Sequence, residues 1–418
     1  MIGKRTPSLA LLVLVTAIGP AALHMPVPSL PLLAVAFDSP PGAVQLVLTL
    51  FLAGIAGAQL LYGPVSDRFG RRPVLLFGLA LFLLGTVLCG LAWSLSALIV
   101  GRVLQACGGC AGMVLGRAII SDVCEREAAA SAIATVTMAM ALAPSVSPAI
   151  GAYLAEWIGW RADFALLGAL GAALLVLVGL HLRETHRNAI PLDLRGMAGS
   201  FAILLRSPAF VGLALSSACT TASWYTFTAS APYLLSELLR QPPSTYGLMI
   251  LLPMAAYVLG NAVAARCAVR LGSVRLFVWG VALSVAAGAA MALWCLGLGL
   301  TAWAVFVPMA LSSVGNGMSQ PPAMAAGLSV YPRIAGAASG LIGFLQMMIA
   351  ALGTMLVGEL PRADGFWTVV VVDAFLLLAL LFGIAALRAP RGRFGGVPVL
   401  AAPDSRVRST GDVGRDAA

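Results

Sequence analysis

Charged side chains are scarce in this sequence: only 10% of its 418 residues are Asp, Glu, Lys or Arg, and three are histidine. Soluble domains carry about 25% charged residues, because their surface must interact favourably with water. Here 60% of the residues are hydrophobic and a further 45 are glycine. This composition excludes a water-soluble enzyme, a nucleic-acid-binding protein and a disordered chain. It indicates an integral membrane protein.

Cysteine is also sparse, with seven residues that lie in or beside apolar runs. No pair falls in an external loop, so no disulfide framework is expected. Cys107 and Cys110 have the spacing of a redox pair, but they lie inside an apolar run, where we expect them to serve helix packing. We expect no metal and no other cofactor.

Long apolar runs dominate the chain. A helix needs about 20 mostly apolar residues to cross a bilayer. The sequence has twelve such runs, at about 8–33, 43–64, 73–93, 96–120, 128–156, 161–182, 209–235, 245–265, 274–297, 301–327, 336–359 and 366–387. They are continuous rather than alternating, which argues against outer-membrane strands. The first run is longer than a signal peptide, so we predict an all-α membrane protein with 12 transmembrane helices.

The basic residues predict the orientation of these helices. With the N-terminus inside, 21 of the 25 Lys and Arg fall in inside segments and three fall in outside loops. Basic residues concentrate on the cytoplasmic side of membrane proteins. We therefore expect a protein of a bacterial-type inner membrane with both termini in the cytoplasm. The net charge of +9 then reflects the orientation of the helices and does not indicate an anionic partner such as nucleic acid.

The chain divides into two halves at its longest polar stretch. Gly63 and Gly260 occupy similar places in the second and eighth runs, and the first and seventh runs begin about 200 residues apart. Such repeats build transporters that hold their substrate between two bundles. The predicted organisation is an N-terminal six-helix bundle (1–182), a cytoplasmic inter-bundle loop (183–208), a C-terminal six-helix bundle (209–388) and a disordered cytoplasmic tail (389–418).

The most specific motif lies between the second and third runs. Its pattern G-x-x-x-D-R-x-G-R-R is formed by Gly63, Asp67, Arg68, Gly70, Arg71 and Arg72. Glycine permits a tight turn, and a carboxylate such as Asp67 is favoured at a helix N-terminus. The stretch resembles the loop signature of the major facilitator superfamily. The resemblance implies two pseudo-symmetric six-helix bundles, and a gating loop that latches them in the outward-open state.

A charge inside the fourth run is costly in hydrocarbon and usually faces a wet interior. Arg102 lies about six residues inside the outer boundary, and Gln105 shares its helix face at i+3. The pair resembles the fourth-helix signature that the family associates with proton coupling. An interfacial anchor is the alternative role for Arg102.

The fifth run contains Pro144 and Pro148, followed by Gly151. Proline removes a backbone hydrogen bond and bends a helix. The stretch is similar to the antiporter signature of drug exporters, in the form found in the bicyclomycin/chloramphenicol-resistance group. Ala143 and Ala152 stand at glycine positions of the fuller signature, so a structural kink is the alternative.

Two titratable residues inside other runs complete the candidate proton-coupling set. His24 stands in the first run where the similar group commonly has a carboxylate, at a depth compatible with contact to Arg102. A packing histidine is the alternative. Asp373 lies within the last run, where a proton site competes with a helix-packing hydrogen bond.

Uncharged polar and aromatic residues of the second half are candidates for the substrate cavity. Thr220, Trp224 and Phe227 share one face of the seventh run by helical spacing. Tyr257, Asn261, Asn316 and Gln346 add polar groups from other runs. Such a lining suits a mostly apolar, drug-like ligand, while interfacial anchoring is the alternative for the aromatic residues.

The resemblance implies a secondary active exporter that exchanges a drug, such as a phenicol or bicyclomycin-like molecule, for protons by alternating access. We expect a monomer in the lipid bilayer that is not an enzyme and that handles neutral or weakly anionic compounds better than lipophilic cations. One alternative is a metabolite exporter or uptake carrier of the same fold without proton coupling. Another is a membrane sensor or scaffold that transports nothing.

Overall fold

A computed structural model describes residues 8–124, 126–186, 193–360 and 365–389 of the chain. Helices make up nearly all of these residues, and no strand occurs among them. The predicted tail lies almost wholly outside the described residues, as do Lys4 and Arg5.

The first half contains seven helices. They are α1 (Leu9–His24), α2 (Leu30–Ala36), α3 (Pro41–Phe69), α4 (Arg71–Gly90), α5 (Leu95–Val123), α6 (Arg126–Trp157) and α7 (Arg161–His181). The first predicted span is broken, because a 3-10 turn at Val27–Ser29 separates α1 from α2. Four prolines between Pro20 and Pro31 remove backbone donors there.

The second half follows a short connecting helix. The connecting helix is α8 (Leu194–Leu205), and the helices of the second half are α9 (Pro208–Tyr233), α10 (Pro243–Met249), α11 (Leu251–Leu271), α12 (Ser273–Leu298), α13 (Ala302–Val330), α14 (Ala335–Glu359) and α15 (Phe366–Arg388). A π-helical turn at Leu234–Leu238 extends α9. The segment predicted as an inter-bundle loop is thus partly helical: α8 meets the α9 segment at an angle of 91°.

Ten helical segments of the described residues are long and apolar enough to cross a membrane, and eleven if the bent α8–α9 pair counts as one span. The remaining predicted span corresponds to α13, which has 29 residues but contains serine, asparagine and glycine that lower its hydropathy. It packs against α9, α11, α12 and α14. The segmentation therefore follows the twelve apolar runs of the sequence.

Corresponding positions of the two halves adopt the same local structure. Gly70 between α3 and α4 and Gly272 between α11 and α12 have φ/ψ of 95°/153° and 81°/148°. Glycine suits both positions, because other residues rarely adopt positive φ. The hydroxyls of Ser94 and Thr301 cap the N-termini of α5 and α13. These matches support the two-fold repeat better than the Gly63 and Gly260 pair does, since Gly63 lies inside α3 without a close neighbour.

Small residues along α5 let neighbouring helices approach closely. A Cβ on Gly108 would overlap the backbone of α4, and a Cβ on Gly112 or Gly116 would overlap Val15 or Thr16 of α1. Close packing at small residues is the usual way helices associate in membranes. The seven cysteines are free thiols. We call the membrane side at which α3, α5 and α7 end the basic side, because Arg68, Arg71, Arg72 and Arg183 lie there, and the opposite side the distal side.

Candidate functional site

Arg102 is the largest fully buried polar side chain of the first half, with 1% of its surface exposed. Its Nη1 donates to the carbonyl oxygen of Ala22 at 2.8 Å and to Oε1 of Gln105 at 2.6 Å, and its guanidinium lies 3.9 Å from the ring centroid of Phe51. Gln105 in turn donates to the hydroxyl of Thr86 at 2.9 Å. An interfacial anchor would be solvated, so this burial argues against that alternative.

His24 lies at the C-terminal end of α1, directly before the break in the first span. Its Nδ1 is 3.0 Å from the carbonyl oxygen of Pro20, and its ring lies 5.8 Å from the ring of Tyr225 in the second half. Nε2 is buried without a hydrogen-bond partner among the described residues. Arg102 interacts electrostatically with His24. The structure thus brings the two predicted residues together, with His24 on the cavity side.

A cavity of about 510 Å³ lies between the two halves. It extends from His24 and Trp224 near the middle of the helices to Arg117 and Met324, which lie nearer the basic side. Ligand pockets for drug-sized molecules typically measure about 300–1,000 Å³. The size fits a small molecule held near the membrane midplane.

The structure places most, but not all, of the predicted substrate residues on the cavity wall. Those that line it are Trp224, Tyr257, Asn261, Asn316 and Gln346, together with His24 and Pro144. Thr220 and Phe227 do not line it: both are buried, and Phe227 packs edge-to-face on Phe306 with 5.2 Å between ring centroids. Of the three residues of α9 predicted to line the cavity from a shared helix face, only Trp224 therefore does so.

Two glutamines organise the polar part of the cavity wall. The side-chain amide of Gln320 donates to the hydroxyls of Thr220 at 2.9 Å and Thr221 at 3.0 Å. Gln346 donates to the hydroxyl of Ser217 at 2.7 Å and to Oε1 of Gln320 at 3.2 Å. Thr220 thus does not line the cavity, but its hydroxyl accepts a hydrogen bond that helps to position Gln320. We call this group the glutamine network.

Several residues that line the cavity, including Arg117, Thr137 and Ser313, were not singled out from the sequence. In the sequence, Arg117 was counted with the basic residues that predict the orientation of the helices, yet it lies six residues before the end of α5. Its depth in the helix could have identified it as a cavity residue, because a basic residue a turn and a half inside a membrane helix usually faces a polar interior. Among the described lining residues, Arg117 carries the one permanent charge, and no carboxylate lines the cavity.

Asp373 lies away from the central cavity. It lines a second cavity of about 470 Å³ with residues of α12 and α15, including Cys295, Leu296 and Val369. Its Oδ1 is buried without a hydrogen-bond partner among the described residues and packs against Gly288. The structure therefore does not join Asp373 to His24, Arg102 and Gln105.

The predicted gating loop is almost entirely helical, and Gly70 alone separates α3 from α4. Arg71 joins three segments of the first half. It forms ion pairs with Asp67 of α3 and with Asp122 of α5, the latter at 3.0 Å, and it also contacts the Ser66 hydroxyl. Arg72 donates to the carbonyl oxygen of Gly179, and Arg68 lies exposed over the ring of Phe69.

The carboxylate at the N-terminus of α4 belongs to Glu184 rather than to Asp67, which corrects the sequence expectation. Glu184 accepts from the backbone N–H groups of Arg71 at 2.9 Å and Arg72 at 3.1 Å. Partial burial would raise the pKa of Glu184, but backbone hydrogen bonds from His186, Arg71, Arg72 and Thr185 lower it. Asp67 is instead engaged by Arg71 on its own helix.

The antiporter-type residues lie on α6 where it meets the rest of the molecule. Pro144 lines the cavity. A Cβ on Gly151 would overlap the carbonyl oxygen of Met25, so glycine permits α6 to approach the break in the first span. A Cβ on Gly247 of α10 would lie 2.7 Å from Ala152 and 3.4 Å from the carbonyl oxygen of Pro148. The motif thus packs against both halves.

Several contacts between the two halves lie on the distal side. The hydroxyl of Tyr233 donates to the carbonyl oxygen of Leu30 at 3.3 Å, and the backbone N–H of Ser244 donates to Glu156 at 3.1 Å. The hydroxyls of Thr49 on α3 and Thr354 on α14 lie 2.8 Å apart. We call these contacts the distal closure.

Comparison with known proteins agrees with this architecture. Residues 12–354 match the Major Facilitator Superfamily, so the chain belongs to that family of membrane transporters, which are not enzymes. It resembles solved structures of a D-xylose-proton symporter (TM-score 0.73, 14% identity) and of a bacterial homolog of the human lysosomal transporter Spinster (TM-score 0.73, 17% identity). The alignments cover 92% of this chain in both cases, and 97% and 98% of those chains. These structures support the fold.

Three relatives carry names of drug resistance. Multidrug resistance protein D of Escherichia coli is 30% identical over 85% of this chain and 89% of its own length. The bicyclomycin resistance protein homolog of Haemophilus influenzae is 26% identical, with 82% and 86% covered. The chloramphenicol resistance protein of Pseudomonas aeruginosa is 28% identical, with 89% and 88% covered. The bicyclomycin/chloramphenicol-resistance resemblance is thereby confirmed, and bacterial relatives of this kind imply an inner-membrane location.

Proposed function

We propose that this protein exports small neutral or weakly anionic antimicrobial compounds from the cytoplasm in exchange for protons. The basic side faces the cytoplasm in this proposal, and the transporter acts as a monomer. The relatives named for bicyclomycin, chloramphenicol and multidrug resistance support drug efflux as the task.

The proposed substrate class is based on the residues that line the central cavity. Its polar groups include the amides of Asn261, Asn316, Gln320 and Gln346, and the permanent charge among its described lining residues is Arg117. A lipophilic cation entering this cavity would lose hydration without meeting a carboxylate, which is costly in a low-dielectric site. Neutral molecules with carbonyl and hydroxyl groups find hydrogen-bond partners there.

The arrangement of contacts supports alternating access. The distal closure joins the halves on one side, while the ion pairs of Arg71 with Asp67 and Asp122 stay within the first half. The cavity reaches towards the basic side, where substrate would enter from the cytoplasm. Export then requires the distal closure to open while the basic side closes.

A carrier without proton coupling is the second candidate. His24 stands at the position where a first-helix carboxylate was expected, and no carboxylate lines the cavity among the described residues. This observation favours facilitated exchange of a metabolite over proton antiport. The two candidates differ in their response to loss of the proton gradient.

Accumulation of labelled chloramphenicol and of ethidium in cells with and without the protein tests the proposal. We expect the protein to lower chloramphenicol accumulation several-fold more than ethidium accumulation, and a proton uncoupler to abolish the difference. Lowered accumulation that persists with the uncoupler would support the second candidate, with export driven by exchange for a metabolite rather than for protons. Strong ethidium export without chloramphenicol export would contradict the substrate class, and unchanged accumulation of both compounds would count against drug efflux.

A further inference from the structure

Asp163 is a fully buried carboxylate that was not singled out from the sequence. It is the third residue of α7, and its side chain has no exposed surface. Oδ2 accepts a hydrogen bond from the hydroxyl of Ser29 at 2.9 Å. Oδ1 is buried without a hydrogen-bond partner among the described residues. A buried carboxylate with one free oxygen has room to bind a proton, and carboxylates in membrane proteins commonly serve proton transfer.

Arg102 supplies the positive charge that acts on this carboxylate. The two residues interact electrostatically, although no direct hydrogen bond joins them. Other groups on the surrounding helices have partners of their own. Arg161 on α7 donates to the carbonyl oxygen of Ala92 and stacks on Trp160, and Glu156 on α6 accepts from Ser244.

Two further titratable groups lie on the helices around Asp163. His24 of α1 faces the central cavity, and Cys89 of α4 is a buried thiol that donates to the carbonyl oxygen of Leu98. Arg102 interacts electrostatically with both.

Ser29 connects Asp163 to the contacts between the two halves. It belongs to the 3-10 turn Val27–Ser29, which packs against α6 of its own half and against α9 and α10 of the other half. The neighbouring carbonyl of Leu30 accepts from Tyr233 in the distal closure. A change at Asp163 thus reaches the segment that seals the distal side.

We propose that Asp163 is the proton-binding site of this transporter and takes the place of the missing first-helix carboxylate. One proton binds to the carboxylate when the distal closure opens, and forms a neutral carboxylic acid. When the closure reforms, burial of Asp163 favours the neutral acid while the positive charge of Arg102 opposes it, and the proton then leaves towards the basic side. The inference rests on proton coupling as part of the proposed function.

Infrared difference spectra of the reconstituted full-length protein, recorded between acidic and alkaline buffer, test proton binding without a substrate. Among the titrating carbonyl bands of protonated carboxylic acids in the wild type, one band belongs to Asp163, and Asp163→Asn should lose it. Asp373→Asn, a matched change of the other intramembrane carboxylate, should keep it. In Ser29→Ala the band should shift in frequency, because the hydrogen bond to Oδ2 is lost.

The outcomes separate this inference from the proposed function. An unchanged set of titrating bands in Asp163→Asn, or loss of the assigned band in Asp373→Asn instead, overturns the assignment. If Asp163→Asn does not fold, an unshifted band in Ser29→Ala overturns it. In proteoliposomes with an imposed pH gradient, the wild type should couple chloramphenicol movement to proton flux, and Asp163→Asn should lose the proton flux. Asp163→Glu should restore part of it. If the Asp163 band titrates but the protein transports no chloramphenicol, the proposed function is contradicted and the assignment of Asp163 stands.

Discussion

At the scale of single residues, the charge of the central cavity depends on very few side chains. Arg117 contributes a permanent positive charge, and His24 contributes a ring whose Nε2 has no hydrogen-bond partner among the described residues. The remaining polar lining is neutral. A single added carboxylate therefore changes the electrostatic preference of the whole cavity.

The substitution His24→Asp should shift substrate preference towards lipophilic cations. The new carboxylate would lie at the cavity wall and offer a cation the partner that it lacks, since opposite charges attract strongly in a low-dielectric site. We expect ethidium export to rise several-fold relative to chloramphenicol export, measured in the same cells. His24→Asn is the control for loss of the ring, and equal selectivity in the two variants would contradict the electrostatic explanation.

Single-residue predictions from the sequence succeeded where helical spacing alone determined the contact. Arg102 and Gln105 share a face at i+3, and their side chains form a hydrogen bond of 2.6 Å. Asp163 escaped notice because its burial depends on the break in the first span, which brings Ser29 to α7. Thr220 and Phe227 lie on a helix buried on all sides, so spacing could not show which side faces the cavity.

At the scale of helices, the packing of α5 depends on glycines that permit backbone contact. The substitution Gly112→Ala should destabilise the protein by about 1–3 kcal/mol, because the added Cβ would overlap the carbonyl oxygen of Val15 and force α1 to shift. A thermal unfolding assay in detergent measures the effect. Gly57→Ala is the matched control, since no atom lies within 4 Å of its added Cβ. Equal unfolding temperatures of the two variants would show that α1 adjusts without cost.

Glu184 tethers the α7–α8 segment to the start of α4 through its ionised carboxylate. Because the pKa of Glu184 is lowered in the folded protein, its stabilising contribution is present at neutral pH and is lost as the pH falls through that lowered pKa. In Glu184→Gln an NH₂ group replaces one acceptor oxygen, so the backbone N–H groups of Arg71 and Arg72 lose protection.

Hydrogen exchange of a peptide containing Arg71 and Arg72 tests this tether. Exchange should be faster in Glu184→Gln than in the wild type at neutral pH, and the difference should vanish in acidic buffer. Glu237→Gln, a change at an exposed carboxylate elsewhere, should exchange like the wild type. A difference between Glu184→Gln and the wild type that persists unchanged in acid would show that charge is not the cause.

The helices themselves were largely predictable, because long apolar runs can be satisfied in a bilayer only by helices that pair their own backbone groups. The runs at 43–64 and 96–120 correspond to α3 and α5, which begin two residues and one residue earlier and end five and three residues later. The sequence did not predict α8 or the π-helical turn after α9. Both depend on neighbouring segments: α8 packs against α9 and α14, and the turn packs against α9 and α10.

At the scale of the whole molecule, the packing of α3 against α14 joins the two halves. Thr49 and Thr354 meet at 2.8 Å, and a Cβ on Gly42 would lie 2.9 Å from the carbonyl oxygen of Gly358. Alternating access requires these distal contacts to separate in each cycle. A covalent link at this point should therefore hold the distal side closed.

A double substitution, Thr49→Cys with Thr354→Cys, should form a disulfide under oxidising conditions, because the two hydroxyls already lie in contact. We expect the oxidised protein to lose chloramphenicol export by at least about tenfold, since alternating access cannot proceed with one side locked. A reducing agent should restore export, whereas the two single-cysteine variants should respond to neither treatment. Crosslinking is measured by mass spectrometry in the same vesicles. Full export by completely crosslinked protein would mean that the distal closure does not open during transport, and the proposed direction of access would then be wrong.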